Sequence, residues 1–331
     1  MIKKLLFTLI FYALSSNFLH ARDLKISASI KPLHSIASYI SDGIIKDENI
    51  NLIITDGSPH GYALKPSDVK KISSSDYILW VSDDLETFMP QTAAKFQNIK
   101  TRIWQETDGI VLLKNRNGGI WNREDEAENH GHNHDEHEEH HHDEQAEHHH
   151  HDEHDHNHGE HNPHLWLSIQ NSGIFARQIA QDLSELDPEN KAKYQENLDK
   201  YLKELDELKK EINKTLENAK NSSYLIFHDA YPYFEQEFGL NPRGVLRVDP
   251  EHESGAKRIA EIKKLIQEED IKCLFNEPQF SSKISEKLAQ ESKIKLAVLD
   301  PVGADIPAGK DMQIILLKNL AKNLADCLGS E

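Results

Sequence analysis

The sequence predicts an α/β fold with two lobes of parallel sheet and helices, joined by one long rigid helix. Strand patterns alternate with helix patterns in two separate parts of the 331-residue chain, and such alternation favours parallel sheets covered by helices on both faces. Between these parts lies a helical stretch of about 30 residues, or roughly 45 Å. We therefore expect two Rossmann-like lobes with a stiff helical connection.

The N-terminal segment 1–21 has the pattern of a secretory signal peptide. Lys3 and Lys4 precede an apolar run from Leu5 to Leu14, and a region of polar and small residues ends near Ala21. The run is too short to span a bilayer, and no other stretch of about 18 apolar residues is present. We expect an exported protein that does not span the membrane and whose mature chain begins near Arg22.

The first lobe is predicted to comprise residues 22–187. Its strands are identified by alternating or continuous apolar residues, and its helices by apolar residues at helical spacing. The predicted strands are LKISASI, INLIITDG, YILWVSD, KTRIWQ and IVLLK. The predicted helices are LHSIASYI, KPSDVKKISSSD with Pro66 in its first turn, and an amphipathic helix after NPHLWLS.

An insert rich in His, Asp and Glu interrupts this lobe at residues 122–162. Between Glu124 and His161 the chain has 15 acidic residues, 15 histidines and no Lys or Arg, and the net charge outside this segment is −3 compared with −18 for the whole chain. Only Ala127 and Ala146 are apolar, so no face can be buried and we expect disorder. Its H-E-x-x-H pattern at 137–141 is interpreted as a chance match. The clustered imidazoles and carboxylates predict weak zinc binding at several points, as a collector or sensor beside the main site.

Residues 188–219 are predicted to form the connecting helix, and residues 220–331 the second lobe. Apolar residues recur in the helix as a near-heptad stripe among Glu and Lys, for which a coiled-coil partner helix is the alternative interpretation. The second lobe repeats the alternation. Its predicted strands are SYLIFHD, NPRGVLRVD, IKCLFNE and IKLAVLD, and its predicted helices are AYPYFEQEFG, SGAKRIAEIKKLIQEED, KISEKLAQESK and DMQIILLKNLAKNLADCLG.

Two cysteines, Cys273 and Cys327, lie in the second lobe. An even pair in an exported protein favours a disulfide, and two separate buried thiols are the alternative. The bridge would close a loop of about 54 residues and stabilise the fold by roughly 4 kcal/mol. No C-x-x-C spacing is present, which disfavours a cysteine metal site.

Four residues outside the insert occupy positions typical of ligands. His60 follows the strand NLIIT, His228 ends the strand YLIF, His164 lies in the loop HNPHLW, and Asp300 ends the strand KLAVL. Ligands of open α/β sheets bind beyond the carboxyl ends of the strands, so these residues are expected to converge in the cleft between the lobes. Three imidazoles and one further ligand suit Zn²⁺. The alternative is that each is an ordinary polar loop residue. His34, inside a predicted amphipathic helix, is interpreted as a packed or capping residue, and His252, in the charged start of a predicted helix, as a solvated one.

Five longer motifs stand out along the mature chain: DGSPHGYALKPSDVKKI, NPHLWLS, FHDAYPYFEQEFGL, NEPQFSSKI and LDPVGADI. They resemble the substrate-binding proteins of ABC metal importers, and in particular their zinc-specific branch, the periplasmic ZnuA type. The resemblance covers essentially the whole mature chain, in order.

This resemblance implies two α/β lobes, a rigid connecting helix and zinc held between the lobes by His60, His164 and His228. Manganese-specific relatives typically have Glu in place of His228 and use the downstream Asp as fourth ligand. Asp300 matches that position, although in some zinc members water or an acidic insert residue takes its place. The resemblance also includes the histidine-rich insert and a cysteine pair that matches Cys273 and Cys327.

The expected function is capture of zinc in the periplasm and its delivery to an ABC permease, not catalysis. The permease and its ATPase subunits are the expected partners, together with a periplasmic zinc chaperone, and the protein is expected to be a monomer. The acidic charge argues against nucleic acid as a partner, and no nucleotide-binding motif is present. The alternatives are a manganese-binding homologue, a zinc metallohydrolase built on the same histidines, and a periplasmic zinc buffer in which the insert alone matters.

Overall fold

The structure, a computed structural model, describes residues 23–121 and 159–329. The predicted signal peptide and most of the predicted insert lie outside the described residues. The last four residues of the predicted insert, 159–162, are described and belong to the first lobe. The exact division of the chain into domains remains a prediction.

The first lobe contains a four-stranded parallel sheet of order β2-β1-β3-β4. Its strands are buried on both faces at the centre, where Ile26, Ala28 and Leu79 have no exposed surface, as expected for a sheet between two helical layers. Its elements are β1 Ile26–Ala28, α1 Lys31–Ile40, β2 Ile50–Leu52, α2 Pro66–Ser73, β3 Tyr77–Trp80, α3 Met89–Ala93 and β4 Lys100–Ile103. The short helix α3 is an element that the sequence analysis did not predict.

The second lobe contains a sheet of the same topology, with the order β6-β5-β7-β8 and parallel pairing throughout. In both sheets the strand that comes first in the chain therefore lies between the second and the third. The elements are β5 Ser223–Ile226, α6 Pro232–Phe238, β6 Asn241–Val245, α7 Ala256–Glu268, β7 Ile271–Asn276, α8 Lys283–Ser292, β8 Lys295–Val298 and α9 Met312–Leu328. The two-lobed α/β prediction is confirmed.

Two helices, α4 Ile169–Leu186 and α5 Lys191–Thr215, stand between the sheets in the chain. The apolar stripe of α5 is buried against α1, α4 and α9. The C-terminal helix α9 also contacts α5 and the first lobe. The Tyr201 hydroxyl of α5 donates to Gln313 at 2.6 Å, and the Gln313 amide donates to Ser172 of α4 at 2.7 Å. One hydrophobic cluster therefore continues from lobe to lobe, and α5 is not their only connection.

The segment IVLLK, predicted as a strand, does not join either sheet. The Val111 N–H and carbonyl are both hydrogen-bonded at 2.9 Å to the side-chain amide of Asn171 in α4, so they cannot pair with a strand. Lys114 pairs with His161 in an isolated antiparallel bridge. The residues around that bridge hold the downstream end of the insert beside the cleft.

The upstream end of the insert is attached to the other lobe. Ile120 forms an antiparallel bridge with Gly244 of β6, and the hydrogen bonds Val245 N–H to Gly119 and Trp121 N–H to Arg243 are both 2.9 Å long. Before it reaches β6, the same segment is anchored by Arg116, which donates to Asp229 and, at 2.8 Å, to Glu235. The chain thus crosses between the lobes immediately before the insert.

The predicted disulfide is confirmed. Cys273 in β7 and Cys327 at the end of α9 are bonded, with Cα atoms 6.3 Å apart, and they fix the C-terminal helix to the second sheet. Within residues 23–121 and 159–329, none of the helices has the length and apolar character needed to cross a bilayer.

Candidate metal centre

Three of the four predicted ligands meet between the lobes. His60 lies in the loop after β2, His164 precedes α4, and His228 follows β5. Each offers a ring nitrogen, and these nitrogens lie within 4.8 Å of one another. The Nε2 atom of His164 is 3.3 Å from that of His60 and 3.2 Å from that of His228. His164 and His228 are buried, and His60 is half-buried.

The orientation of His164 is fixed by Asn162. The Asn162 side-chain NH₂ donates to the carbonyl of Asp229 at 2.6 Å, which identifies the other end of the amide as the oxygen. That oxygen lies 2.9 Å from Nδ1 of His164 and also accepts the His164 backbone N–H at 3.1 Å. Nδ1 must therefore carry the proton, and Nε2 presents its lone pair to the cleft.

A carboxylate orients His228 in the same way. Oε1 of Glu277 lies 2.8 Å from Nδ1 of His228, and a carboxylate only accepts, so Nδ1 is the donor and Nε2 again presents a lone pair. Glu277 directly follows β7, the neighbour of β5 in the sheet. Because parallel strands end at the same edge, residues 228 and 277 are adjacent although they are far apart in the sequence.

The spacing of these nitrogens fits a tetrahedral zinc ion. The Nε2 lone pairs of His164 and His228 face each other across 3.2 Å. Two lone pairs do not form a hydrogen bond, so this separation is compatible only with a cation or a proton between the two nitrogens. Nitrogen ligands at 2.0–2.1 Å from a tetrahedral zinc ion stand about 3.3 Å apart. The separations of 3.2 and 3.3 Å agree with that value for two of the three nitrogen pairs, and the third pair lies within 4.8 Å, so the residues present are compatible with Zn²⁺.

The electrostatic environment keeps the central imidazole available to a metal. Burial lowers the pKa of His164 well below its usual value, and the nearby His228 and His60 lower it further. A neutral imidazole binds metal and a protonated one does not. The other residues that line this cleft are Ser58, Pro59, Glu277, Gln279, Phe280, Pro301 and Val302.

The structure does not bring Asp300 into the group of histidines. Its carboxylate accepts the side-chain amide of Gln279 at 2.8 Å and the backbone N–H groups of Val302 at 3.1 Å and Gly303 at 2.9 Å. A further bond comes from the N–H of Ala304 at 2.5 Å. In this arrangement Asp300 caps its own loop, and its role as a fourth ligand stays a prediction.

Two histidines that the sequence analysis set aside lie elsewhere. His34 is buried in α1, where its Nε2 is 3.0 Å from the carbonyl of Ile50. His252 is exposed, and its Nδ1 is 2.7 Å from Asp249. The two residues that orient the ligands, Asn162 and Glu277, were not predicted. A signal for Glu277 was present, because it ends a strand as His228 does.

Two parallel-sheet lobes with converging imidazoles between them define a solute-binding protein with a candidate metal centre in its cleft. The chain belongs to the ZnuA family, zinc-uptake complex component A, periplasmic, whose model matches residues 26–327.

Similar proteins agree with this assignment. The chain is 38% identical over 307 residues to the high-affinity zinc uptake system protein ZnuA of Brucella abortus strain 2308. The match covers 91% of this chain and 90% of the relative. It is 37% identical over 300 residues to the protein of that name from Haemophilus ducreyi, with coverage of 91% and 92%. A crystal structure of ZnuA superimposes on this chain with a TM-score of 0.70 at 23% sequence identity. The superposition covers 92% of this chain and 98% of the ZnuA chain in that structure. That likeness supports the fold.

Proposed function

We propose that this protein captures Zn²⁺ in the periplasm and delivers it to an ABC importer, with His60, His164 and His228 as the zinc ligands. The observation that carries the proposal is the set of Nε2 atoms at 3.2 and 3.3 Å, since the other ring nitrogen of both His164 and His228 is already engaged by an acceptor. Zinc is the transported substrate, and binding followed by release is the activity.

The partners follow from family membership. Relatives named for high-affinity zinc uptake support an ABC permease and its ATPase subunits as the recipients of zinc, and a periplasmic zinc chaperone is a further proposed partner. The family description and the signal-like N-terminus support the periplasm as the location. We propose that the protein acts as a monomer, because the proposed ligands all come from one chain.

The observations disfavour the other functions. A manganese-binding homologue would have Glu at position 228, where this chain has His. A metallohydrolase requires a general base beside the metal-bound water. Within residues 23–121 and 159–329, the two carboxylates at the cleft are engaged, Glu277 with His228 and Asp300 with its own loop. The proposed function is therefore binding and not catalysis.

The proposal is tested by replacing His228 with Ala and, as a matched control, the exposed His252 of the same lobe with Ala. Zinc affinity is measured by competition with a chelator strong enough that only the tightest site competes. We expect His228→Ala to lower the affinity of one equivalent of zinc by orders of magnitude and His252→Ala to leave it unchanged. Undiminished tight binding by His228→Ala would refute the assignment.

A second experiment separates transport from buffering. Deletion of residues 124–158 leaves the described residues at both ends of the insert in place. We expect the deleted protein to keep the tight equivalent of zinc and to support growth in zinc-poor medium. If growth is lost while the cleft still binds zinc, the insert carries the essential function and the buffer interpretation is correct.

A further inference from the structure

We propose that Glu277 is a positioning residue for metal binding, which orients the imidazole of His228 and supplies the negative charge that balances the bound cation. The inference rests on the proposed function, and it concerns the second layer of the cleft, behind the ligands.

The contact of Glu277 with His228 is direct and buried. The side chain of Glu277 is 1% exposed and that of His228 is 6% exposed. The Tyr231 hydroxyl lies 3.2 Å from the same Oε1 atom but donates to the carbonyl of Leu299 at 2.8 Å, which leaves His228 as the main donor to Oε1. The imidazole is therefore held by a short bond on the side of the ring opposite its metal-facing nitrogen.

In the part of the chain that the structure describes, Glu277 lacks the cationic partner that two other buried carboxylates of the protein have. Asp182 is paired with Arg102 at 2.9 Å, and Glu235 with Arg116 at 2.8 Å. Among the described residues, Glu277 has no Lys or Arg partner, and its Oε2 atom is buried without a hydrogen-bond donor. A buried carboxylate without a cationic partner is costly. A divalent cation bound through His228 removes that cost, because its charge reaches the carboxylate across one imidazole ring.

Imidazoles bind a metal ion in their neutral form, and the partner of His164 is the neutral amide of Asn162. Glu277 contributes a carboxylate in direct contact with a ligand. Carboxylates behind metal-bound histidines fix the tautomer and raise the basicity of the ring, and their loss typically costs 10- to 100-fold in affinity. A residue that only ties β7 to β5 would affect stability and leave metal affinity unchanged.

The test compares Glu277→Ala, Glu277→Gln and the control Glu86→Gln in the full mature chain. Glu86 is a buried carboxylate of the first lobe that accepts hydrogen bonds from Ser29, Val81 and Ser82, so its replacement controls for the loss of a buried acid. Zinc affinity is measured by chelator competition, and unfolding without metal is measured separately. If Glu277→Ala does not fold, the isosteric Gln variant carries the test.

We expect Glu277→Ala to lower the affinity of the tight site about 10- to 100-fold. The Gln variant should show a smaller loss, because it keeps an acceptor for Nδ1 and lacks the charge, and Glu86→Gln should bind as the unmodified protein does. Long-range ¹H–¹⁵N spectra of histidine-labelled protein provide the second readout. The His228 signals, identified by their absence in His228→Ala, should show a protonated Nδ1 in the unmodified protein and a mixture of tautomers in Glu277→Ala.

Wild-type affinity in both Glu277 variants, with lower unfolding temperatures only, would overturn this inference while leaving the proposed function intact. Failure of the proposed function has a different signature, since His228→Ala would then retain the tight site as well.

Discussion

Replacement of Asp300 by Asn or Ala separates two roles for this residue, a metal ligand and a loop cap. In the structure both carboxylate oxygens accept hydrogen bonds from residues 279 and 302–304, as a capping residue would. The same loop is also held from the first lobe, because Nζ of Lys31 donates to the carbonyls of Gly303, Ala304 and Ile306 at 2.9, 2.7 and 3.0 Å.

The expected magnitude follows from these contacts. Loss of a capping side chain costs about 1 kcal/mol, and the three bonds from Lys31 keep the loop in place. If the whole of that cost appeared in binding, zinc affinity would fall by about fivefold. Loss of a direct ligand should lower zinc affinity by more than about 100-fold, which is the upper range for the loss of a residue that contacts a ligand from behind.

Chelator competition on the full chain distinguishes these outcomes, with thermal unfolding of the metal-free protein as the control for loop stability. We expect Asp300→Ala to unfold at a lower temperature and to bind zinc within about tenfold of the unmodified protein. A loss of about 100-fold or more in both variants, with unchanged unfolding, would refute the capping role and establish Asp300 as the fourth ligand.

Two further predictions concern stability and pH. Replacing Cys273 and Cys327 together by Ser opens a loop with a sequence separation of 54. This change should lower the free energy of unfolding, measured in urea, by roughly 4 kcal/mol and leave zinc affinity nearly unchanged. A loss of less than about 1 kcal/mol in the free energy of unfolding would contradict the loop-closure argument. Zinc binding should weaken as the pH falls below about 6, because protons compete for imidazoles. Burial and the neighbouring His228 and His60 lower the pKa of His164, so the free His164 imidazole should stay neutral in this pH range. Long-range ¹H–¹⁵N spectra of the metal-free protein report its protonation, and a protonated His164 ring at about pH 6 would contradict the lowered pKa.

The sequence was sufficient to predict the two-lobed α/β fold class and the convergence of the three histidines. Continuous apolar runs such as Tyr77–Trp80 are typical of parallel strands buried on both faces, and the rule that ligands bind beyond strand ends placed His60 and His228 at one cleft. Both inferences depend only on local patterns and on a general property of parallel sheets.

The remaining features depend on contacts that local patterns do not encode. The apolar run at Val111 resembles a strand, but the amide of Asn171 takes its backbone hydrogen bonds. Asp300 ends a strand as the predicted ligands do, yet its own loop supplies donors within hydrogen-bond distance. The role of Glu277 follows only from the adjacency of β5 and β7, which requires the strand order of the folded sheet.

The two attachment points of the insert make it separable from the cleft during evolution. One end is bonded to β6 through Gly119 and Trp121, and the other is bonded to residues 113–115 through Glu160 and Asn162. The positions of both ends are thus set by backbone hydrogen bonds that do not involve the intervening residues. Closing a flexible loop costs only about 0.6 kcal/mol more for each doubling of its length. A change in the length of the histidine-rich sequence should therefore cost little free energy, because the bonds that place its two ends would be retained.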